Sequence, residues 1–259
     1  MRTKDYELLN DLEDSFWWFE GMREITATLL DPFCVPESRS RLVLDAGCGT
    51  GGNLTWLKRY AGEKNVVGID LAEEAVAYSS AGINNSVARA STTFLPFRDS
   101  VFDLVTSYEV LGQLPAGEDE KALREICRVL RPGGFAFIRV AAYEWMRSSH
   151  DSALLTTTRY TMPRLVDLTR GAGLRAVRTT YANTILLPVV ALRRLVLQRV
   201  GLAASGSDVK PFPPELAWLN RLLTRALLQE SRWLEKSNAA LPAGLSAICI
   251  AQKPDAIAA

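Results

Sequence analysis

The strongest constraint on the fold of this chain comes from an apolar strand that ends in an acid and leads into a glycine-rich turn. Residues 42–52 read LVLDAGCGTGG, so the apolar run ends at Asp45 and four glycines follow within seven residues. Glycine lets the backbone turn tightly and lets a ligand approach amide groups without a side chain in the way. A second run, VVGID, ends at Asp70. An acid about 20 residues after such a turn is the usual acceptor for ribose hydroxyls. The pattern predicts a nucleotide-type site.

The charge of Asp45 separates two ligands that this turn could hold. Gly47, Gly49 and Gly52 satisfy the G-x-G-x-x-G pattern, so a nicotinamide-dependent oxidoreductase is one alternative. A dinucleotide places its pyrophosphate against the turn and the helix N-terminus, where the Asp45 carboxylate would repel it. S-adenosylmethionine has no phosphate and brings a cationic amino group and a sulfonium, which a carboxylate attracts. The charge favours the methyl donor.

Short apolar runs alternate with helical patterns over residues 41–182. Strands are predicted near 41–45, 65–70, 86–90, 102–107, 135–140, 174–182 and 245–251. Helices are predicted near 52–60, 72–81, 118–131 and 162–171. Such alternation is typical of a parallel sheet covered by helices on both faces. We predict one domain over 1–259 with an α/β, doubly wound, mostly parallel seven-stranded sheet, whose core is 41–183 and 241–253.

Two helical segments extend this core. Apolar residues at three- and four-residue spacing predict an N-terminal helical cap over 1–40, with a helix that stops at Pro32. Residues 184–240 break the alternation and predict a helical insertion between strands six and seven, with a leucine face from Leu216 to Leu234 and a loop near 204–208. Three roles stay open for the insertion: an acceptor lid, a homodimer contact, and packing on the core.

Composition and charge limit the classes of binding partner that this chain is expected to have. Thirty basic and 29 acidic residues give a net charge of +1, so the chain has no global electrostatic reason to bind nucleic acid or an anionic membrane, although a local patch could exist. Four scattered cysteines and one histidine predict neither a disulfide framework nor a metal site. The longest uncharged apolar stretch has about 12 residues where a membrane span needs about 20, and no signal-peptide core is present. We expect a cytoplasmic protein without a membrane span.

The motifs resemble, in order, those of the class I S-adenosylmethionine-dependent methyltransferases. The resemblance covers roughly 41–182, through the glycine loop, VVGIDLAEEAV, ARASTTFLPFRDSVFDLVTSYEVLGQL and ALREICRVLRPGGFAFIRV. It implies a Rossmann-like methyltransferase fold, with S-adenosylmethionine as cofactor and S-adenosylhomocysteine as product. It also implies that the cofactor contacts Asp45, Gly47, Gly49, Asp70, Leu71, Ser91, Thr92 and Ser107.

Two positions depart from the family pattern. Ser91 stands where many members carry Asp to accept the adenine amino group, which makes it a weaker acceptor. Gln113 stands where many members carry His. A non-catalytic nucleotide-binding scaffold therefore remains an alternative to an enzyme.

The N-terminal segment SFWWFEGMR, residues 15–23, resembles the start of family members linked to natural-product and polysaccharide tailoring. In those members the leading helices cover the cofactor. Trp18 could close the pocket over a flat ring, and Arg23 could pair with the methionine carboxylate. Packing of Trp17 and Trp18 in the core is an equally good and compatible interpretation.

The segment after the fifth strand supplies the acceptor-side candidates, because ligands of open parallel sheets bind outside the carboxyl ends of the strands. Tyr143 and Trp145 are the predicted substrate contacts. His150 is the first candidate for a general base, with Glu109 and Tyr143 behind it. A base is needed only where the acceptor must lose a proton, as a hydroxyl does.

The residues after the fourth strand, TSYE, lack the Asn/Asp-Pro-Pro-aromatic clamp for base amines, and the chain has no Pro-Cys nucleophile. We expect a small-molecule acceptor, with sugar- and lipid-linked molecules among the candidates, and no nucleic acid.

Overall fold

Seven strands form one sheet in the order β3-β2-β1-β4-β5-β7-β6. The computed structural model describes residues 3–36, 41–62, 65–81, 86–148, 151–152, 154–194, 212–236 and 239–255. The strands are β1 Val43–Ala46, β2 Val66–Asp70, β3 Ser86–Arg89, β4 Phe102–Tyr108, β5 Leu130–Ala141, β6 Arg175–Ala182 and β7 Ser246–Gln252. Neighbours pair in parallel except at β7, which is antiparallel to both β5 and β6. This confirms the predicted doubly wound, mostly parallel sheet.

Helices cover both faces of the sheet. They are α1 Thr3–Leu12, α2 Trp17–Leu30, α3 Gly52–Ala61, α4 Glu73–Ala81, α5 Glu118–Val129, α6 Met162–Gly171, α7 Leu187–Leu192 and α8 Ala217–Leu234. The hydrophobic core on one face includes side chains of α5 and α6, and the core on the other includes side chains of α2, α3 and α8. Burial on both faces explains why the central strands read as continuous apolar runs.

Two predicted boundaries were wrong. The N-terminal cap consists of two helices, and α2 ends at Leu30 rather than at Pro32. Helix α5 ends at Val129 rather than at 131, and β5 begins at Leu130. The Pro-Gly-Gly turn belongs to the strand because the N–H of Gly133, at φ 76°, donates to the carbonyl of Lys253 (2.9 Å).

The insertion contributes α8, which packs along α2. Its buried residues are Thr224, Leu227, Glu230, Ser231 and Leu234. The predicted leucine face is therefore wrong at one end, since Leu216 precedes the helix and is 39% exposed. Leu227 lies where a Cβ on Gly21 would overlap it, so α2 and α8 approach closely. The inner face of the insertion thus packs on the core, and the predicted loop at 204–208 lies outside the described residues.

Candidate active site

The glycine loop joins β1 to α3 in a conformation that requires glycine. Gly47, Gly49 and Gly51 have φ values of 99°, 54° and 94°, a region that costs other residues energy. At Gly47 a Cβ would also overlap Val110. The N–H groups of Gly47 and Cys48 both donate to the carbonyl of Ile69 (2.8 Å each), which ties the loop to β2. At Gly49 a Cβ would meet nothing within 4 Å, so this side of the loop is open to a ligand.

Asp45 lies at the end of β1 and is fully buried. Its Oδ1 accepts a hydrogen bond from Thr106 Oγ1 (2.8 Å). Its Oδ2 is buried and has no hydrogen-bond partner within the described structure. Burial raises the pKa of Asp45 to about 7, against the opposing effect of the Thr106 bond. A buried carboxylate oxygen without a partner is costly, and a cationic ligand group beside it would favour the ionised form.

Asp70 ends β2 on the other side of the loop. Its Oδ2 accepts from the N–H of Gly49 (2.9 Å) and its Oδ1 from the N–H of Ala72 (3.0 Å). These two bonds orient the half-buried carboxylate, and each oxygen keeps a second lone pair for a ribose hydroxyl. Leu71 follows and is 63% exposed. The structure therefore brings Asp70 and Leu71 beside the glycine loop, as predicted.

The loop after β3 places the remaining cofactor candidates. Ser91 Oγ shares a hydrogen bond with Thr93 Oγ1 (2.8 Å), and Thr92 is buried. Ser107, near the end of β4, has a buried Oγ without a hydrogen-bond partner in the part of the chain that the structure describes. Phe94, which forms a bridge with Ser91, is 76% exposed. Phe94 was not among the predicted residues, although a phenylalanine that follows three polar residues in a turn indicates a ring contact.

The cap contacts the glycine loop through two charged residues. Arg23 donates from Nη2 to the carbonyl of Gly52 (3.0 Å). Glu13, between α1 and α2, accepts a hydrogen bond from Thr50 Oγ1 (2.6 Å). Burial raises the pKa of Glu13, and the Thr50 bond opposes the shift. Arg23 thus lies next to the loop, and its pairing with the methionine carboxylate stays a prediction. Glu13 was missed because nothing in the local sequence marks it.

A buried arginine lies beneath the cap. Arg139 of β5 stacks between the rings of Trp18 and Tyr108, with its guanidinium carbon 4.8 Å from each ring centre. Its Nε donates to the carboxylate of Glu109 (3.0 Å). Glu109 has φ 62°, a strained conformation for a residue other than glycine. The group was missed as a unit, although an arginine inside the apolar run FAFIRV was a signal.

The cavity between cap and sheet is small. It measures about 10 Å³ and is lined by Trp18, Arg23, Tyr108 and Arg139 among others. Trp18, which lines this cavity, is half-buried against the sheet and does not project into solvent. Trp18 thus packs against the core and also borders the cavity, and its contact with the cofactor stays a prediction.

Three aromatic rings form a stack on the acceptor side. Tyr143 lies between Trp145 and Tyr181, with ring centres 5.5 Å and 5.2 Å away and ring planes at 25° and 19°. Trp145 is 51% exposed. Burial, together with the neighbouring Tyr181, raises the pKa of Tyr143 to about 12. Tyr143 is therefore a poor general base near neutral pH, and the stack is better suited to contact than to proton transfer.

His150 lies outside the described residues, but its neighbour Asp151 is engaged. Asp151 accepts from Arg159 Nε (2.7 Å) and from the N–H of Ser148 (2.8 Å), and Arg159 also donates to the carbonyl of Ala142 (2.8 Å). Both charged side chains are almost fully buried. Burial would raise the pKa of Asp151, yet the Arg159 bond holds it below its usual range. Asp151 is an anchor of the acceptor-side loop.

A family model described as "Methyltransferase domain" matches residues 44–138. This segment holds the glycine loop, Asp70 and the loop after β3. This segment is a methyltransferase domain similar to those of the class I S-adenosylmethionine-dependent methyltransferases. The family match disfavours the nicotinamide alternative.

Known methyltransferases share this core. The ubiquinone/menaquinone biosynthesis C-methyltransferase UbiE of Yersinia enterocolitica is 35% identical over 137 residues, which cover 50% of this chain and 51% of that protein. For the first curated relatives the match covers 36–41% of their length.

Solved structures extend the likeness to the whole fold. An S-adenosylmethionine-dependent methyltransferase of Thermotoga maritima has a TM-score of 0.57 and 16% identity, over 96% of this chain and 95% of that chain. The [4+2]-cyclase SpnF has a TM-score of 0.56 and 19% identity, over 90% and 82%. At such identities the likeness establishes the fold alone.

The residues fit the family's cofactor, S-adenosylmethionine. The decisive observation is the buried Oδ2 of Asp45 beside the glycine loop, which has no partner among the described residues. Such an oxygen suits a cation and disfavours pyrophosphate. Asp70 would hold the ribose, and Leu71 and Phe94 offer exposed apolar surface for a flat ring. Asp45, Gly47, Gly49 and Asp70 are thus brought together by the ends of β1 and β2.

Proposed function

We propose that this chain transfers a methyl group from S-adenosylmethionine to a small-molecule acceptor. When bound, the cofactor supplies an electrophilic methyl group on a sulfonium. The orphaned carboxylate oxygen of Asp45 carries the proposal, since it lies at the glycine loop, within the segment that the family model matches. As in any methyl transfer, most of the rate enhancement comes from positioning the two reactants.

The cofactor side is assigned to residues that surround the glycine loop. Asp45 offers negative charge to the methionine ammonium and the sulfonium, and Arg23 lies close enough to the loop to pair with the methionine carboxylate. Ser91, Thr92 and Ser107 complete the set by position. Ser107 is supported by its buried hydroxyl, which has no partner in the described structure.

The acceptor side is assigned to the aromatic stack. Trp145 presents an exposed flat ring next to Tyr143, whose own ring is covered by Trp145 and Tyr181 and can offer only its edge and hydroxyl. A flat ring of this kind suits a sugar ring or an apolar chain. We therefore propose a sugar- or lipid-linked acceptor. We also propose a cytoplasmic location for the protein. The exposed face of Trp145 is the most direct contact surface.

His150 is the proposed base for a hydroxyl acceptor. Changing His150 to Ala should leave cofactor binding intact and lower turnover by about 10²–10⁴-fold. An early-melting variant with near-normal turnover would instead make His150 structural. Glu109 is the second candidate, and its ion pair with Arg139 holds its carboxylate in a fixed position.

Ligand-induced stabilisation and product formation test the proposal together. S-adenosylmethionine and S-adenosylhomocysteine should raise the melting temperature, because a ligand that binds only the native state stabilises it; NAD should not. Formation of S-adenosylhomocysteine with sugar- or lipid-linked hydroxyl acceptors should follow. Stabilisation by NAD alone would refute the cofactor assignment. Stabilisation by S-adenosylmethionine without product from any acceptor would favour the non-catalytic scaffold.

A further inference from the structure

Exposed apolar side chains concentrate in one part of the described chain. Twelve large apolar side chains are exposed there, and nine of them lie in the acceptor-side loop or in the insertion. They are Trp145, Leu155, Ile185, Val189, Leu192, Leu216, Trp218, Leu222 and Trp233. Scattered exposed apolar residues need no explanation, but a concentration of them indicates an interaction surface.

The outer face of α8 combines these residues with positive charge. Trp218, Leu222 and Trp233 are 53%, 52% and 42% exposed. The basic residues on this exposed face, which recur at helical spacing, are Arg221, Arg225, Arg232 and Lys236, the last just beyond the helix end. We call the three apolar and four basic residues the outer α8 face.

Acidic residues are scarce on this face. Glu235, and Glu215 in the turn before the helix, are exposed, whereas Glu230 points inward and accepts hydrogen bonds from the N–H groups of Asn183 (2.6 Å) and Thr184 (2.9 Å). The whole insertion, 184–240, has eight basic and four acidic residues, while the rest of the chain has 22 and 25. The near-zero net charge of the protein therefore hides a local basic segment.

The short helix α7 connects this face to the acceptor side. It follows Asn183 and Thr184, which are bonded to Glu230 of α8, and just beyond its end Arg194 donates to the carbonyl of Met146 (2.9 Å). Met146 belongs to the turn that carries Trp145. The exposed residues Val189 and Leu192 of α7 thus lie between α8 and the aromatic stack.

We propose that the outer α8 face, together with the exposed side of α7, binds the surface of an anionic lipid bilayer. Helices that lie in the membrane interface typically combine tryptophan and leucine with arginine and lysine. The outer α8 face has this composition. Each basic side chain attracts anionic headgroups, and added salt weakens this electrostatic attraction. None of the helices within the described ranges is long and apolar enough to span a membrane, so the contact is peripheral.

The charge of the face argues against a second copy of the chain as its partner. A two-fold contact would place this face against itself, so that Arg221, Arg225 and Arg232 would meet the same cations. An anionic bilayer instead supplies the opposite charge across the whole face. The surface lies next to the acceptor edge, which would let the enzyme act on an acceptor held at the bilayer.

Vesicle co-sedimentation tests the proposal without any methyl transfer, so that its failure and that of the proposed function are distinguishable. The protein should sediment with vesicles of phosphatidylcholine and phosphatidylglycerol, and much less with phosphatidylcholine alone. Changing both Arg221 and Arg225 to Glu should lower binding at least about tenfold, and added salt should lower binding of the unmodified protein.

Two further variants keep the test sharp. Changing Trp218 and Leu222 to Ser should also weaken binding, while the melting temperature of that variant with S-adenosylmethionine should match that of the unmodified protein. The matched control changes Arg124 of α5 and Arg170 of α6 to Glu, since both are exposed cations on the opposite face of the sheet. Equal binding to neutral and anionic vesicles, equal loss in the control, or a homodimer that the α8 variants dissociate would overturn the proposal.

Discussion

Replacing Asp45 with Asn should change how stability depends on pH. Burial raises the pKa of this carboxyl from 3.8 to about 7, so the native state holds a proton that the unfolded chain releases above about pH 4. Between pH 4 and 7 stability therefore falls as pH rises. At about 1.4 kcal/mol per unit, the full penalty above pH 7 is about 4 kcal/mol, and asparagine removes it.

The magnitude can be read from the two pKa values. Relative to the unmodified protein, the Asp45→Asn variant should gain about 3 kcal/mol in unfolding free energy between pH 5 and pH 8. Urea unfolding of both proteins at each pH measures this, and taking their difference cancels other titrating groups such as Glu13. Thr106→Val, which keeps the Asp45 carboxyl and removes the Thr106 hydroxyl with its bonds to Asp45 and to the carbonyl of Leu44, is the matched comparison and should not remove the pH dependence. A difference that stays constant from pH 5 to pH 8 would refute the buried, protonated Asp45.

Three other changes test separate parts of the structure. Asp70→Ala should cost about 1.5–3 kcal/mol of S-adenosylmethionine binding for each charge-assisted bond lost, and unchanged calorimetric affinity would contradict the ribose assignment. Arg159→Met should lower the unfolding free energy by about 3–5 kcal/mol, because Asp151 is left buried without its partner; replacing Asp151 with Leu as well should recover much of this in urea unfolding. Gly21→Ala should cost about 1–3 kcal/mol by overlap with Leu227, and a double-mutant cycle with Leu227→Ala should relieve only part of this cost, because the remaining Cβ at 227 would still lie 2.5 Å from the new methyl group.

The core fold was predictable from sequence because its signals are local. A parallel strand buried on both faces reads as an apolar run, and the Asp45 and Asp70 ends with the glycine turn mark where β1 and β2 stop. Each of these signals lies within about ten neighbouring residues, so no long-range information was needed. The same reason explains why Asp45, Gly47, Gly49 and Asp70 could be expected to lie close together.

Long-range contacts could not be predicted in this way. Glu13 meets Thr50 across 37 positions, and Arg139 meets Glu109 across 30. The buried face of α8 was predicted at the wrong position, because the burial of its polar residues depends on partners that are distant in sequence. Glu230, for example, turns inward to bind the backbone beyond β6, which a periodicity of leucines does not reveal.

The position of β7 has a consequence for the order of folding. It lies between β5 and β6, although it follows β5 by roughly 100 residues and such non-local pairing is slow to form. Within the described sheet β7 is the strand that pairs with β6, so during synthesis β6 lacks its strand partner until residues 246–252 have left the ribosome. The glycine loop and both carboxylates at the ends of β1 and β2 can assemble long before that. We therefore expect the first half of the sheet to form a nascent core early, and the acceptor side to fold only after the last strand, β7, has paired with β5 and β6.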